Sequence, residues 1–236
     1  MLGFWDYTVV LTYISFMSAM AGIFSSMSMH VKWAVFFLAI SGLCDMFDGK
    51  IARTKKNRTE DEKNFGIQID SLCDIVCFGV LPVTICYRTG MNHIYSMAIL
   101  ALYGLAGLVR LGYFNVMEAK RQETEQDARK YYKGLPITTM AIVLPILFVV
   151  SPLFPTRQIF VGALHVAVAL VGALFITDFK LRKPSTVELF LLVGVAALAV
   201  FIVVLAGRGW WRHFHPNPNA AKGGSLCVTL QTAEGS

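Results

Sequence analysis

The sequence predicts an all-α fold, a polytopic bundle of seven membrane-spanning helices with no separate soluble domain, and three observations carry that expectation. Of the 236 residues, 56% are hydrophobic and only 15% charged, against roughly a quarter charged in an ordinary soluble domain. Charge-free stretches at 7–31, 89–109, 134–156, 158–177 and 189–207 each approach the ~20 residues that a helix needs to cross a bilayer. Two shorter charge-free runs, 33–44 and 75–87, reach spanning length only if the helix extends through Asp45 and Asp48 in one and through Asp74 and Asp70 in the other.

The expected helices lie at 8–28, 31–52, 66–88, 92–117, 135–153, 157–178 and 187–207. The first follows an N-terminus with Asp6 and no Lys or Arg, so it reads as a permanent span, not a secretory signal, although Ala19-Met20-Ala21 resembles a cleavage site. The second and third carry the four acids. Between them the run Lys55, Lys56, Arg58, Glu60, Asp61, Glu62, Lys63 reads as a solvated loop. The fourth contains Arg110, and the charged segment 118–131 after it reads as a surface helix. Pro82, Pro136 and Pro145 fall within or at the start of spans, where a membrane bundle tolerates them as kinks. His30, His93 and His165 are isolated, with His30 and His93 on the far side and His165 in a span remote from the acids, and read as neither metal ligands nor catalytic residues. The seventh helix closes a single membrane domain over 1–207. The tail 208–236 has Trp210 and Trp211 as an interfacial anchor, then an aperiodic polar stretch that reads as disordered or vector-derived.

Charge placement orients the bundle. The loops 48–66, 115–134 and 178–187 hold six, five and three Lys or Arg, whereas Lys32, Arg88 and Arg157 are those of the loops opposite. The basic loops are therefore expected on the cytoplasmic side, where they also attract anionic headgroups. Split among short juxtamembrane loops without aromatic interleaving, these charges exclude a nucleic-acid surface. Five cysteines, Cys44, Cys73, Cys77, Cys86 and Cys227, form no CxxC pair and no zinc spacing, and read as packing residues. The compact chain and the lack of targeting signals suggest a prokaryotic plasma membrane.

Intramembrane carboxylates cost about 2.5–3.5 kcal/mol each on insertion scales, so four near one membrane face demand a partner. Asp45 and Asp48 are spaced i,i+3 and Asp70 and Asp74 i,i+4, so each pair shares a helical face. The second helix runs toward the basic side and the third returns from it, which brings the two acidic edges to similar depth. Carboxylates without His or Cys suit hard divalent ions such as Mg²⁺ or Mn²⁺. Gly49, Ala52 and Gly66 leave room beside them, and Arg53 adds a guanidinium at the surface. Together these residues describe a site for a phosphate or diphosphate.

The string Asp45-Met46-Phe47-Asp48-Gly49-Lys50-Ile51-Ala52-Arg53, followed by Gly66-Ile67-Gln68-Ile69-Asp70-Ser71-Leu72-Cys73-Asp74, resembles the D-x2-D-G-x2-A-R…G-x3-D-x3-D motif of the CDP-alcohol phosphatidyltransferase family at all eight defined positions. The twelve residues between Arg53 and Gly66 are more than is usual in the family and resemble its serine-using branch. So do Arg110-Leu111-Gly112-Tyr113-Phe114-Asn115-Val116 and Lys133-Gly134-Leu135-Pro136. Leu11-Thr12-Tyr13-Ile14-Ser15 is similar to the first-helix segment that lines the nucleotide pocket, with Ser15 where an Asn is often found. The resemblance covers about residues 8–180.

The resemblance implies transfer of the phosphatidyl group of CDP-diacylglycerol to L-serine in a homodimer of helical bundles, with two divalent ions. Asp45, Asp48 and Asp70 would hold the metal, and Asp74 would complete the cluster or act as base. Thr12, Ser15, Asp48, Gly49, Ala52, Arg53 and Gly66 would contact CDP-diacylglycerol. Arg110, Asn115 and Lys133 are the candidates for the serine site. Two alternatives stand beside this reading. The first is a family member that uses glycerol 3-phosphate or inositol phosphate, with Arg110, Arg121, Lys130 and Lys133 as its extra cations. The second is a cation transporter whose acidic cluster is the ion path.

Overall fold

The computed structural model describes residues 7–52, 54–55, 59–124 and 131–182. Helices α1 (Tyr7–Met27) and α2 (Val31–Ala52) form an antiparallel hairpin. A long rod follows: α3 (Glu60–Asp74), a π-helical segment (Ile75–Val80) and α4 (Leu81–Thr89) run on without a break. Next come α5 (Ile94–Thr124), α6 (Met140–Val150) between two short 3₁₀ turns, and α7 (Arg157–Ile176). Four segments, Val9–Met27, Glu60–Thr89, Ile94–Met117 and Arg157–Ile176, are long and apolar enough to cross a membrane, and Ile137–Leu153 is a shorter apolar helix. This is a helical membrane protein. The α2 helix has spanning length at 22 residues, but its acids and lysines dilute its hydropathy. The expected helix at 187–207 and the tail lie outside the described residues.

Local chemistry accounts for three departures from the expected helix map. The charged run after α2 is not all loop, because Thr59 starts α3 with a capping box: its Oγ1 accepts from the Glu62 N–H at 3.2 Å and its own N–H donates to Glu62 Oε2 at 3.0 Å. Such reciprocal caps contribute about 1 kcal/mol. Lys55 and Lys63 pair with Glu62 and Glu60 across the same turn. Farther along, residues 118–124 are not a separate surface helix but the last turns of α5.

The third departure surrounds Pro82, where the sequence suggested a kink. Proline has no N–H to give the carbonyl four residues back, and its ring crowds that carbonyl. The widened π turn before it, closed by the Leu81 N–H on the Val76 carbonyl, absorbs the crowding. The carbonyl left over is that of Phe78, and the buried hydroxyl of Tyr103 on α5 donates to it.

The core runs down the middle of the bundle through Leu38 of α2, Phe78 of the π segment, Leu81 and Ile85 of α4, and Met140 and Leu144 of α6, all fully buried. Gly42 brings α2 against α6, since a β-carbon there would lie 2.7 Å from that of Ala141. His165 is built into the α5–α7 packing: its Nδ1 meets the Val161 carbonyl at 2.7 Å, its Nε2 meets Ser96 Oγ at 2.7 Å, and its ring stacks on Tyr95.

One feature escaped the helical pattern. Tyr131–Lys133 and Lys180–Arg182 form a two-stranded antiparallel ribbon, with Lys133 opposite Lys180. It ties the ends of the α5–α6 and post-α7 segments together at the end of the bundle where α2 finishes.

Candidate functional site

The acids meet as the helix spacing requires. Carboxylate oxygens of Asp45 on α2 and of Asp70 and Asp74 on α3 all lie within 4.8 Å of one another. The side chains pair across the two helices, Asp45 with Asp74 and Asp48 with Asp70, at hydrogen-bonding reach. Two ionised carboxylates have no proton to share, so such pairs hold together only with a proton or a cation between them. The donor set is all oxygen, which fits a hard divalent ion.

Neighbouring helices fix this cluster. Thr12 of α1 is buried and its Oγ1 donates to Asp48 Oδ2 at 3.4 Å. Ser15, one turn on, is also buried, but it is engaged with α2: its Oγ donates to the Ser41 carbonyl at 3.1 Å while Ser41 Oγ donates to the Ser15 carbonyl at 3.0 Å. This reciprocal clasp sets the α1–α2 spacing behind the acids. On the opposite flank, Ser71 Oγ donates to Asn115 Oδ1 at 2.9 Å, joining α3 to α5 between Asp70 and Asp74. Gly49 is exposed with no atom within 4 Å of where a side chain would begin, and Gly66 is half-buried on α3, about one turn before Asp70. Beside Asp48, then, the surface is open.

Arg110 is buried, and its guanidinium is committed in part to main chain: Nε donates to the Leu135 carbonyl at 3.0 Å and Nη2 to the Gly134 carbonyl at 3.4 Å. Gly134 sits at φ +73°, where a β-carbon would also press on the Thr177 carbonyl at 3.1 Å. Its N–H donates to the Phe179 carbonyl at 2.7 Å. The Gly-Leu-Pro turn is thus a knot between Arg110, the end of α7 and the ribbon carrying Lys133. Of the remaining candidates, Ala52 ends α2 and Arg53 lies outside the described residues.

Sequence reasoning missed Ser71, Ser41 and the ribbon strand at Lys180. Ser71 lies one residue past Asp70, about 100° around the helix, and only the packing of α5 reveals that this face is polar.

The sequence model of the family described as CDP-alcohol phosphatidyltransferase matches residues 7–175. Among similar proteins is the CDP-diacylglycerol--serine O-phosphatidyltransferase of Saccharomyces cerevisiae, 34% identical over 144 residues that cover 56% of this chain and 51% of that one. The enzyme of the same description from Helicobacter pylori strain J99 is 28% identical over 78% of this chain and 76% of its own. That from Bacillus subtilis is 27% identical over 76% and 94%. The chain therefore spans about half the length of the yeast relative and most of the bacterial ones.

Proposed function

The chain belongs to the CDP-alcohol phosphatidyltransferase family, and from that premise we propose that it transfers the phosphatidyl group of CDP-diacylglycerol to the hydroxyl of L-serine, giving phosphatidylserine and CMP. The observation that carries the reading is the convergence of Asp45, Asp70 and Asp74 within 4.8 Å, with Asp48 paired to Asp70 at the edge of open space by Gly49.

In this reading Asp45, Asp48, Asp70 and Asp74 hold two divalent ions, Mg²⁺ or Mn²⁺. Bound there, the ions supply charge neutralisation at a diphosphate and at the departing phosphate of CMP. The protein's own residues do the rest. Gly49, Ala52 and Gly66 let the nucleotide diphosphate approach the backbone, Arg53 pairs with it, and Thr12 holds Asp48 in orientation while Ser15 fixes α1 against α2. Serine's hydroxyl oxygen forms the new bond to the phosphatidyl phosphorus as the bond from that phosphorus to the CMP oxygen breaks. Asp74 takes the hydroxyl proton. Asn115, held by Ser71, lies on the serine side, with Arg110 and Lys133. The acyl chains stay in the bilayer throughout, so the head alone enters the site.

The same reading makes residues 1–207 one membrane domain, acting as a homodimer in a prokaryotic plasma membrane with the basic loops and the acids on the cytoplasmic side. Metal-dependent CMP release from CDP-diacylglycerol in detergent, tested with a panel of alcohols, decides the matter. Serine should give CMP and phosphatidylserine in equal amounts. Product with glycerol 3-phosphate or inositol phosphate but none with serine would move the acceptor, and metal flux into vesicles without CMP release would replace the enzyme by a transporter.

Arg110→Lys tests the acceptor side. Lysine keeps the charge but loses the planar fork that reaches both Gly134 and Leu135. The serine KM should rise about tenfold while CDP-diacylglycerol affinity stays within twofold, as expected when uniform binding of one substrate is lost. Unchanged serine kinetics would reduce Arg110 to a clasp on the turn.

A further inference from the structure

The segments at the end of the bundle away from the acids carry cations and, among the described residues, no acid. Residues 28–35, 84–100 and 150–162 include Lys32, Arg88 and Arg157 and no Asp or Glu. Two of these cations cap helix ends: Arg88 Nη2 donates to the Met27 carbonyl at the end of α1 at 2.9 Å, and Arg157 Nη2 donates to the Thr89 carbonyl at the end of α4 at 3.1 Å. Such caps meet the negative pole of a helix and contribute about 0.3–1 kcal/mol each. Arg88 is left incomplete. Its Nε is buried and has no hydrogen-bond partner, one of two such side-chain atoms among the described residues. A buried donor without an acceptor is costly, and more so on a charged group.

Beside Arg88 opens an almost wholly apolar cavity of about 420 Å³, lined by Val83 and Tyr87 of α4, Met97 and Ala101 of α5, and Met27. Tyr87, Met97 and Met27 are exposed, so the cavity faces outward. Arg88 at its rim lies fourteen residues along the rod from Asp74, about 21 Å at 1.5 Å per residue, and so near the opposite membrane surface.

We propose that this groove is a phospholipid site in the leaflet remote from the acids, with the lipid phosphate on the Arg88 guanidinium and an acyl chain lying between α4 and α5. The chemistry selects this occupant. A guanidinium is matched to phosphate by charge and donors, the apolar walls suit a hydrocarbon chain, and the volume is that of an ordinary ligand pocket. A second copy of the chain would bring Lys32, Arg88 and Arg157 to the same face and no acid among the described residues, so it could not neutralise Arg88. The lipid is distinct from CDP-diacylglycerol at the acids, since the two phosphate positions lie on opposite sides of the membrane.

Native mass spectrometry of the delipidated full-length protein, titrated with dioleoylphosphatidylglycerol, tests the assignment. The wild type should retain one more lipid per protomer than Arg88→Gln, whose affinity at that site should fall at least tenfold. Because Arg88→Gln also weakens the cap on α1, Ala101→Phe serves as a second variant that fills the groove without touching the guanidinium, and it should lose the same lipid. Dioleoylglycerol, which has the chains but no phosphate, should not occupy the site. The proposal is overturned if both variants keep the wild-type lipid count, if Ala101→Phe alone keeps it, if dioleoylglycerol binds equally well, or if the variants convert a dimer to monomer with lipid retention unchanged.

Discussion

Asp45→Asn is expected to lower CMP release on the order of a thousandfold, and Asp70→Asn to do the same, because each removes a carboxylate from the cluster proposed to hold the ions. The loss should persist at saturating Mg²⁺ or Mn²⁺, and residual activity should need more metal for half its maximum. Stability should move the other way. Without metal, the three clustered carboxylates repel one another, so in chelator Asp45→Asn should melt at or above the wild-type temperature. Added Mg²⁺ should raise the wild-type melting temperature and raise that of the variant much less, since ligand binding stabilises only what it binds. Near-full turnover of Asp45→Asn at limiting metal would show that the cluster does not hold the ion.

Asp74→Asn should cut turnover by about a hundredfold to ten-thousandfold, the range for loss of a general base, while CDP-diacylglycerol binding stays within about threefold of wild type. Asparagine keeps the shape and the approach to Asp45, but it cannot take a proton from serine. Equilibrium binding of labelled CDP-diacylglycerol beside single-turnover CMP release separates the two effects. A loss of binding as large as that in Asp48→Asn would leave Asp74 a metal ligand without the base role. Asp74 stands inside the metal-capable trio and Asp48 is tied to Thr12 and Asp70, so binding and turnover are read separately for each.

The acids were legible because their code is local: i,i+3 and i,i+4 spacings fix which face of a helix they share, and a hairpin of opposed helices fixes their depth. The spans at α1, α5 and α7 were legible for the same reason, since a run of apolar residues is its own evidence in lipid. What stayed hidden depends on partners distant in sequence. The Ser71–Asn115 bond joins residues 44 apart, and the Ser15–Ser41 clasp joins residues 26 apart. The ribbon was hidden because three residues per strand are too few for a period-2 pattern to stand out. Arg110 was visible as a buried cation in need of an acceptor, but not that main-chain carbonyls of Gly134 and Leu135 would supply part of it.

The π segment between Asp74 and Pro82 adds a residue to the rod without turning its acidic face. A π turn is an α-helix with one extra residue fitted in, so the six residues Ile75–Val80 rotate the chain about as far as five would at about 100° each. The two surfaces of the rod stay in phase across it: above the segment the acids face α2, and below it Leu81 and Ile85 face the core. A chain one residue shorter here, closed up as ordinary α-helix, would keep its acids aimed at Asp45 and Asp48 and its core leucine inward. What it would lose is the widened turn that accommodates Pro82, whereas the same deletion inside either flanking helix would swing the acids by about 100°.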